Sequence, residues 1–309
     1  MIDVAVHNIS KSYNDGKVAA LSDISFEVEK GELFGIVGPD GAGKTTLFRI
    51  LTTLLLADSG QAQVNGSDVL KDYKAIRSKV GYMPGKFSLY QDLSVEENLN
   101  FFASIFGTTI AENYDLVKDI YVQLEPFKNR RAGQLSGGMK QKLALCCALI
   151  HRPEVLFLDE PTTGVDTVSR KEFWEMLKRL KSEGITILVS TPYMDEATMC
   201  ERIALFQDGR MLSIDSPQGI IASYPYPLFA IKSDNMSGLL SDLRSHSQVS
   251  SAFSFGEYHH ITLHEGGLLA EDLAPFKASF QQTNVAIHPI TPTVEDCFIH
   301  LMKNDGAST

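Results

Sequence analysis

The segment Gly38-Pro39-Asp40-Gly41-Ala42-Gly43-Lys44-Thr45, followed by Thr46, has the spacing GxxxxGK[ST]. Glycines so spaced let backbone N–H groups converge on phosphate oxygens, and the helix that follows adds its positive dipole end. Lys44 is then placed to reach the β- and γ-phosphates, and the Thr45 hydroxyl to coordinate Mg²⁺. A second acidic element, Asp159-Glu160, ends the apolar run Val155-Leu156-Phe157-Leu158. Asp159 there is a candidate Mg²⁺ ligand, and Glu160 a candidate base to polarise a water. A third element, Leu135-Ser136-Gly137-Gly138-Met139-Lys140-Gln141, opens a helical stretch with a serine and two glycines. It is either a plain Ser-capped helix or a second phosphate-binding helix terminus.

These groups need a scaffold, and the hydrophobic pattern supplies one. Leu33–Val37, Val155–Leu158 and Ile185–Val189 are continuous apolar runs of the kind that form strands buried on both faces. Helical stretches lie between and after them at Lys44–Leu56, Lys140–Ile150 and Val168–Ser182. Buried strands alternating with helices predict an α/β fold with a parallel sheet core. Asp3–Ile9 and Leu21–Glu29 alternate instead, which predicts an antiparallel β subdomain with one wet face. Ser94–Glu125 carries only helical periodicity and reads as part of a helical insertion spanning about 88–150. After the break at Ser223-Tyr224-Pro225-Tyr226-Pro227 the pattern is strand (Leu228–Lys232), helix (Met236–Arg244), strand (Val249–Phe255), strand (His259–His264), helix (Leu268–Gln282), strand (Val285–Ile290) and helix (Val294–Met302). That order predicts a small ferredoxin-like α+β domain over 224–309, after a first domain over 1–223.

The 309 residues are 44% hydrophobic and 21% charged, enough for substantial cores, with a net charge of −10. An acidic balance gives no overall attraction to nucleic acid, and no nucleic-acid partner is expected. The longest apolar stretches, Leu54–Ala57, Leu143–Ile150 and Val155–Leu158, fall far short of the roughly 20 residues a bilayer span needs. The start, Met1–Val6, has neither the basic flank nor the apolar core of a signal peptide, so a cytosolic chain is expected. Cys146, Cys147, Cys200 and Cys297 lack metal-like spacing and read as buried thiols.

With the glycine loop and the Asp-Glu pair in place, Leu135–Gln141 closely resembles the signature motif of ABC-transporter ATPases. Further marks follow the family's order: Tyr13 in Ser12-Tyr13-Asn14, Gly164-Val165-Asp166, and Asp195-Glu196-Ala197. The resemblance covers about residues 2–223. It implies a P-loop ABC cassette that binds ATP and Mg²⁺, with Tyr13 stacking on adenine. It also implies pairing with a second cassette, as homodimer or heterodimer, so that Ser136, Gly137 and Gly138 cap a nucleotide held by the partner's P-loop. Asp92–Leu99 and the ending Pro292-Thr293-Val294-Glu295-Asp296-Cys297-Phe298 resemble ABC-2-type, multidrug-type export ATPases. Those work at the cytoplasmic face of the membrane beneath separate permease subunits. A methionine-importer ATPase with an amino-acid-sensing tail is the nearer alternative. A soluble ABC protein of translation or repair is the more distant one.

Two positions depart from the family pattern. Pro192 stands where the family usually places a histidine that contacts the γ-phosphate, and proline has neither a polar side chain nor an N–H. Gly85 stands where a glutamine usually meets Mg²⁺. Gln91 lies six residues on and His151 ahead of the Asp-Glu strand, so neither is an evident substitute. Both departures affect the site on this chain's own P-loop and predict slow hydrolysis there; the retained Glu160 argues the other way.

Overall fold

The computed structural model describes residues 1–264, 273–280 and 282–306. The chain begins with β1 (Ile2–Tyr13), β2 (Val18–Glu29), β3 (Leu33–Val37), α1 (Lys44–Leu51), β4 (Ser59–Val64), β5 (Ser67–Asp68), α2 (Tyr73–Lys79) and β6 (Val80–Met83). A helical stretch follows, with α3 (Val95–Ile105), α4 (Tyr114–Tyr121) and α5 (Gly137–Leu149). Next come β7 (Val155–Asp159), α6 (Thr167–Ser182), β8 (Thr186–Thr191), β9 (Arg202–Gln207), β10 (Arg210–Asp215) and α7 (Pro217–Ala222). The remainder is β11 (Leu228–Lys232), α8 (Met236–Ser245), β12 (Val249–Phe255), β13 (Tyr258–Leu263), α9 (Leu273–Ala278), β14 (Ala286–Ile290) and α10 (Val294–Gly306).

Two compact units result: Met1–Gln218 with the residues from His300 onward, and Gly219–Ile299. The first holds a six-stranded sheet of order β10-β9-β3-β8-β7-β6, in which β9, β3, β8, β7 and β6 run parallel and β10 antiparallel. Every residue of β3, β7 and β8 is buried, in keeping with the apolar stretches Leu33–Val37, Val155–Leu158 and Ile187–Val189 at their centres. A separate sheet, β2-β1-β4-β5, is antiparallel and packs its apolar side with α1 into one core that includes Val4, Ile24, Phe34, Phe48 and Phe157. The parallel core and the antiparallel subdomain are thus both present.

Helix limits differ from the periodicity in two instructive places. The apolar pattern runs to Leu56, yet α1 stops at Leu51. Thr53 turns to φ +62°, and Arg77 donates to its Oγ1 and carbonyl oxygen, at 2.8 Å each, which holds the chain out of helix. Helix α5 begins earlier than Lys140, because Ser136 caps it by accepting the Met139 N–H at 3.3 Å. The insertion is entered through a full capping box, with Ser94 and Glu97 each accepting the other's backbone N–H.

In the second unit the sheet order is β12-β13-β11-β14, every pair antiparallel. A βαββαβ chain with that order has the split-βαβ, ferredoxin-like topology. Phe229, Ile231 and Ile261 pack there against Leu239, Leu243 and Phe276. Of the expected helix Leu268–Gln282, residues 268–272 and 281 lie outside the described residues. All four cysteines are buried free thiols. Burial alone pushes the Cys146 thiol well above its ordinary range. Among the described residues no helix is long and apolar enough to cross a membrane.

Candidate functional site: a nucleotide cradle

Strand β3 delivers the chain to Gly38 at the edge of the sheet, and the loop turns back into α1 through Gly43 at φ +101°. A Cβ at Gly43 would stand 2.4 Å from the Ala20 carbonyl oxygen, so both the backbone angle and the close approach of β2 demand glycine. Lys44 is 3% exposed, and its ammonium donates to the carbonyls of Gly38 (2.7 Å) and Pro39 (2.9 Å). Glu160 Oε1 lies 3.2 Å from the same nitrogen. Around it is a cavity of about 310 Å³, lined by Tyr13, Gly41–Thr46 and Glu160 among others. The Tyr13 hydroxyl lies 3.4 Å from Thr46 Oγ1, with the ring 36% exposed. Asp40 is exposed at the loop's outer bend.

The acidic pair is fixed from β8. Asp159, 2% exposed, ends β7, and its Oδ1 accepts the Ser190 hydroxyl at 2.6 Å. Glu160 turns to φ +49°, while its N–H donates to both Ser190 Oγ (3.0 Å) and the Ser190 carbonyl (3.1 Å). A left-handed non-glycine residue costs about 1–2 kcal/mol. Here that turn sends the carboxylate toward Lys44. Among the described residues no group bonds to Asp159 Oδ2, so the second oxygen of this carboxylate remains for a cation. The cavity, the buried ammonium and the spare carboxylate oxygen suit a nucleotide triphosphate with a divalent cation.

At the departures, Gly85 abuts the acidic pair: a Cβ there would stand 3.1 Å from the Asp159 carbonyl oxygen and 3.7 Å from Glu160 Cβ. Gln91 does not supply the missing side chain, since it packs on Gly133 and its carbonyl accepts the Gly133 N–H at 2.9 Å. His151 is equally remote in role. Its ring stacks on Phe106 at 3.7 Å, Nε2 lies 3.2 Å from the Val80 carbonyl, and it lines a separate apolar cavity with Tyr82 and Phe87. Pro192 follows Thr191, whose carbonyl accepts the Gly38 N–H at 3.2 Å.

Ser136, Gly137 and Gly138 are not among the residues lining the Lys44 cavity. They start α5 beside Gly164 and Ser169, where a Cβ at Gly138 would stand 2.9 Å from Ser169 Oγ.

Three residues support the site, and two of them escape the motif spacings. Asp58 accepts from Lys11 Nζ (2.6 Å), Ser12 N (2.7 Å) and Ser12 Oγ (2.8 Å), anchoring the strand end that carries Tyr13. Those bonds, Lys11 first, pull its carboxyl down to about 2. Gly209 donates to the Ala42 carbonyl at 3.1 Å and accepts the Ser22 N–H at 2.8 Å, joining the loop to β2. Glu196, 3% exposed, gathers Thr162, Thr191 and Arg170. Asp58 and Gly209 carry no local signal; Glu196 stands within Asp195-Glu196-Ala197.

Known proteins with this architecture are many. The ABC transporter family profile matches residues 21–163. The chain is 37% identical to the probable multidrug ABC transporter ATP-binding protein YbhF of Escherichia coli (strain K12), over 99% of this chain and 53% of that protein. It therefore spans about half the length of that relative. Against the Nod factor export ATP-binding protein I of Paraburkholderia xenovorans it is 38% identical, over 70% of this chain and 71% of the relative. Among solved structures, cbiO1 from Clostridium perfringens, part of the ABC transporter complex cbiONQ, superposes with a TM-score of 0.64 at 27% identity. That match covers 72% of this chain and 91% of cbiO1. The ATP-binding cassette MJ0796, a dimer bound to ADP and phosphate, gives 0.63 at 26% identity, covering 69% and 98%. With the glycine loop, the acidic pair and the signature carried on that scaffold, the chain belongs to the ATP-binding family of ABC transporters.

Proposed function

We propose that this chain is the ATP-binding and ATP-hydrolysing subunit of an ABC-2-type exporter, seated at the cytoplasmic face of a membrane beneath separate permease subunits. The observation that carries the site assignment is the 3.2 Å approach of Glu160 Oε1 to Lys44 Nζ inside the glycine cradle. Gly38–Thr46 and Lys44 hold the phosphates, Tyr13 takes the adenine, and Thr45 with Asp159 holds Mg²⁺. Bound Mg²⁺ would neutralise charge on the phosphate oxygens. Glu160 accepts the proton of the attacking water, and its fixed turn aims the carboxylate at the phosphate end of the cradle. The cassette occupies about 1–223 and the ferredoxin-like tail about 224–309.

Two such cassettes pair, with Ser136–Gly138 of this chain presented to the nucleotide on the other P-loop. Pro192 and Gly85 remove two polar groups from this chain's own site, so that site binds ATP and hydrolyses it slowly. Loss of one such stabilising group costs about 10²–10³ in rate. A second cassette that keeps the missing groups makes a working asymmetric pair. Steady-state ATPase of the purified chain, with Glu160→Gln and Pro192→His, tests this. Turnover that rises with Pro192→His supports it. Wild-type turnover at rates ordinary for the class, abolished by Glu160→Gln, overturns the slow-site reading.

A further inference from the structure

Glu196 is a buried carboxylate that the ATP site does not use directly. Its Oε2 accepts the hydroxyls of Thr191 (2.5 Å) and Thr162 (3.1 Å), and its Oε1 accepts Arg170 Nε (3.0 Å) and Nη2 (2.9 Å). A buried charge is retained cheaply only when paired and fully hydrogen-bonded, and this one is. Its partners lie on three segments. Thr162 stands just before the loop Thr163–Asp166, Arg170 just after it in α6, and Thr191 at the end of β8. One carboxylate therefore grips both ends of that loop and ties it to the strand whose carbonyl holds Gly38.

Helix α6 in turn carries the start of α5. Gly138 lies against Ser169, adjacent to Arg170, and Gly137 would put a Cβ 3.3 Å from the Gly164 carbonyl oxygen. Lys142 of α5 reaches Glu172 of α6 at 2.7 Å. The segment leading from Thr191 to Glu196 has little freedom. Pro192 fixes its own φ, and Thr191 Oγ1 accepts the Tyr193 N–H at 3.1 Å while donating to Glu196. Arg170 is further held over the Tyr193 ring at 4.2 Å.

We infer that Glu196 is a positioning residue for the face this chain offers a second cassette. Through Thr162 and Arg170 it sets the loop Thr163–Asp166, and through α6 it sets Ser136–Gly138. Thr191–Glu196 acts as a strut between β8 and that loop. The inference rests on the paired-cassette reading for its function, while the bridge itself can be judged without it.

Hydrogen exchange of the full-length chain gives the test, alongside binding of a fluorescent ATP analogue. Glu196→Gln is expected to speed exchange in 133–142 and 162–170 at least tenfold, leaving β3 and the analogue's affinity within twofold. Thr162→Val, which removes one hydroxyl bond and keeps the shape, is expected to give about a third of that acceleration should Glu196→Gln fail to fold. In the membrane complex, Glu196→Gln should lower kcat about tenfold at unchanged KM. Unchanged exchange in 133–142 in the variants overturns the inference, as does a parallel loss of analogue affinity. A wild-type chain that binds no analogue defeats the ATPase reading instead, and the exchange comparison still decides the bridge.

Discussion

Ser190 Oγ stands 2.6 Å from Asp159 Oδ1 and also accepts the Glu160 N–H at 3.0 Å, so one hydroxyl on β8 fixes two acidic residues of β7 and its turn. Removing it leaves Asp159 buried with a weaker hold on its orientation, and a charged hydrogen bond of this kind is worth about 1.5–3 kcal/mol. Ser190→Ala is expected to raise the Mg²⁺ concentration for half-maximal nucleotide binding several-fold. Nucleotide binding in EDTA should not change. Titration of a fluorescent ATP analogue at graded Mg²⁺ reads both.

Asp58 anchors the strand end behind Tyr13, and Asp58→Asn is expected to weaken nucleotide binding about three- to tenfold, with Tyr13→Ala weaker still. Its carboxyl is drawn down to about 2, chiefly by Lys11. A folded-state value below the unfolded one means the tether's contribution is full above about pH 4 and is lost as pH falls through about 2. An NMR titration of the Asp58 carboxyl, compared with an exposed aspartate, checks the shift.

His151 behaves in the opposite range. Burial lowers its pKa, and the buried Nδ1 has no partner among the described residues. The unfolded chain therefore binds the proton more readily, and stability falls as pH drops below about 6.5. His151→Phe, which keeps the stack on Phe106, is expected to flatten the loss of Tm between pH 7.5 and 5.5.

In the second unit Leu239 is fully buried between α8 and the sheet. Leu239→Ala should cost about 2–5 kcal/mol of stability in that unit. Chemical denaturation followed by hydrogen exchange in Leu228–Leu263 measures it, and nucleotide binding by the cassette is expected to hold.

What the sequence made legible was local. Leu33–Val37 and Val155–Leu158 announce buried strands because no polar residue interrupts them, and Ile185–Val189 because only Thr186 does. The glycine cradle is legible because its spacing and its helix are contiguous. Strand β4 was invisible, since only Ala62 and Val64 of its six residues are buried. The end of α1 depends on Arg77 reaching Thr53, a contact that no 3.6-residue period encodes. Asp58, Ser190 and Gly209 act through strand pairings that bring distant segments together, so their roles appear only once β1 meets β4, β7 meets β8 and the β9–β10 turn meets the cradle.

The four buried thiols have a practical consequence. Cys146 and Cys200 are pushed far from the thiolate form, and Cys297 is raised to about 11, all chiefly by burial. A native fold should thus be nearly silent to maleimide reagents. A single engineered cysteine at exposed Gln134, beside the signature, would then carry a probe on an otherwise unlabelled wild-type background. The approach of a second polypeptide to that face could be followed in real time.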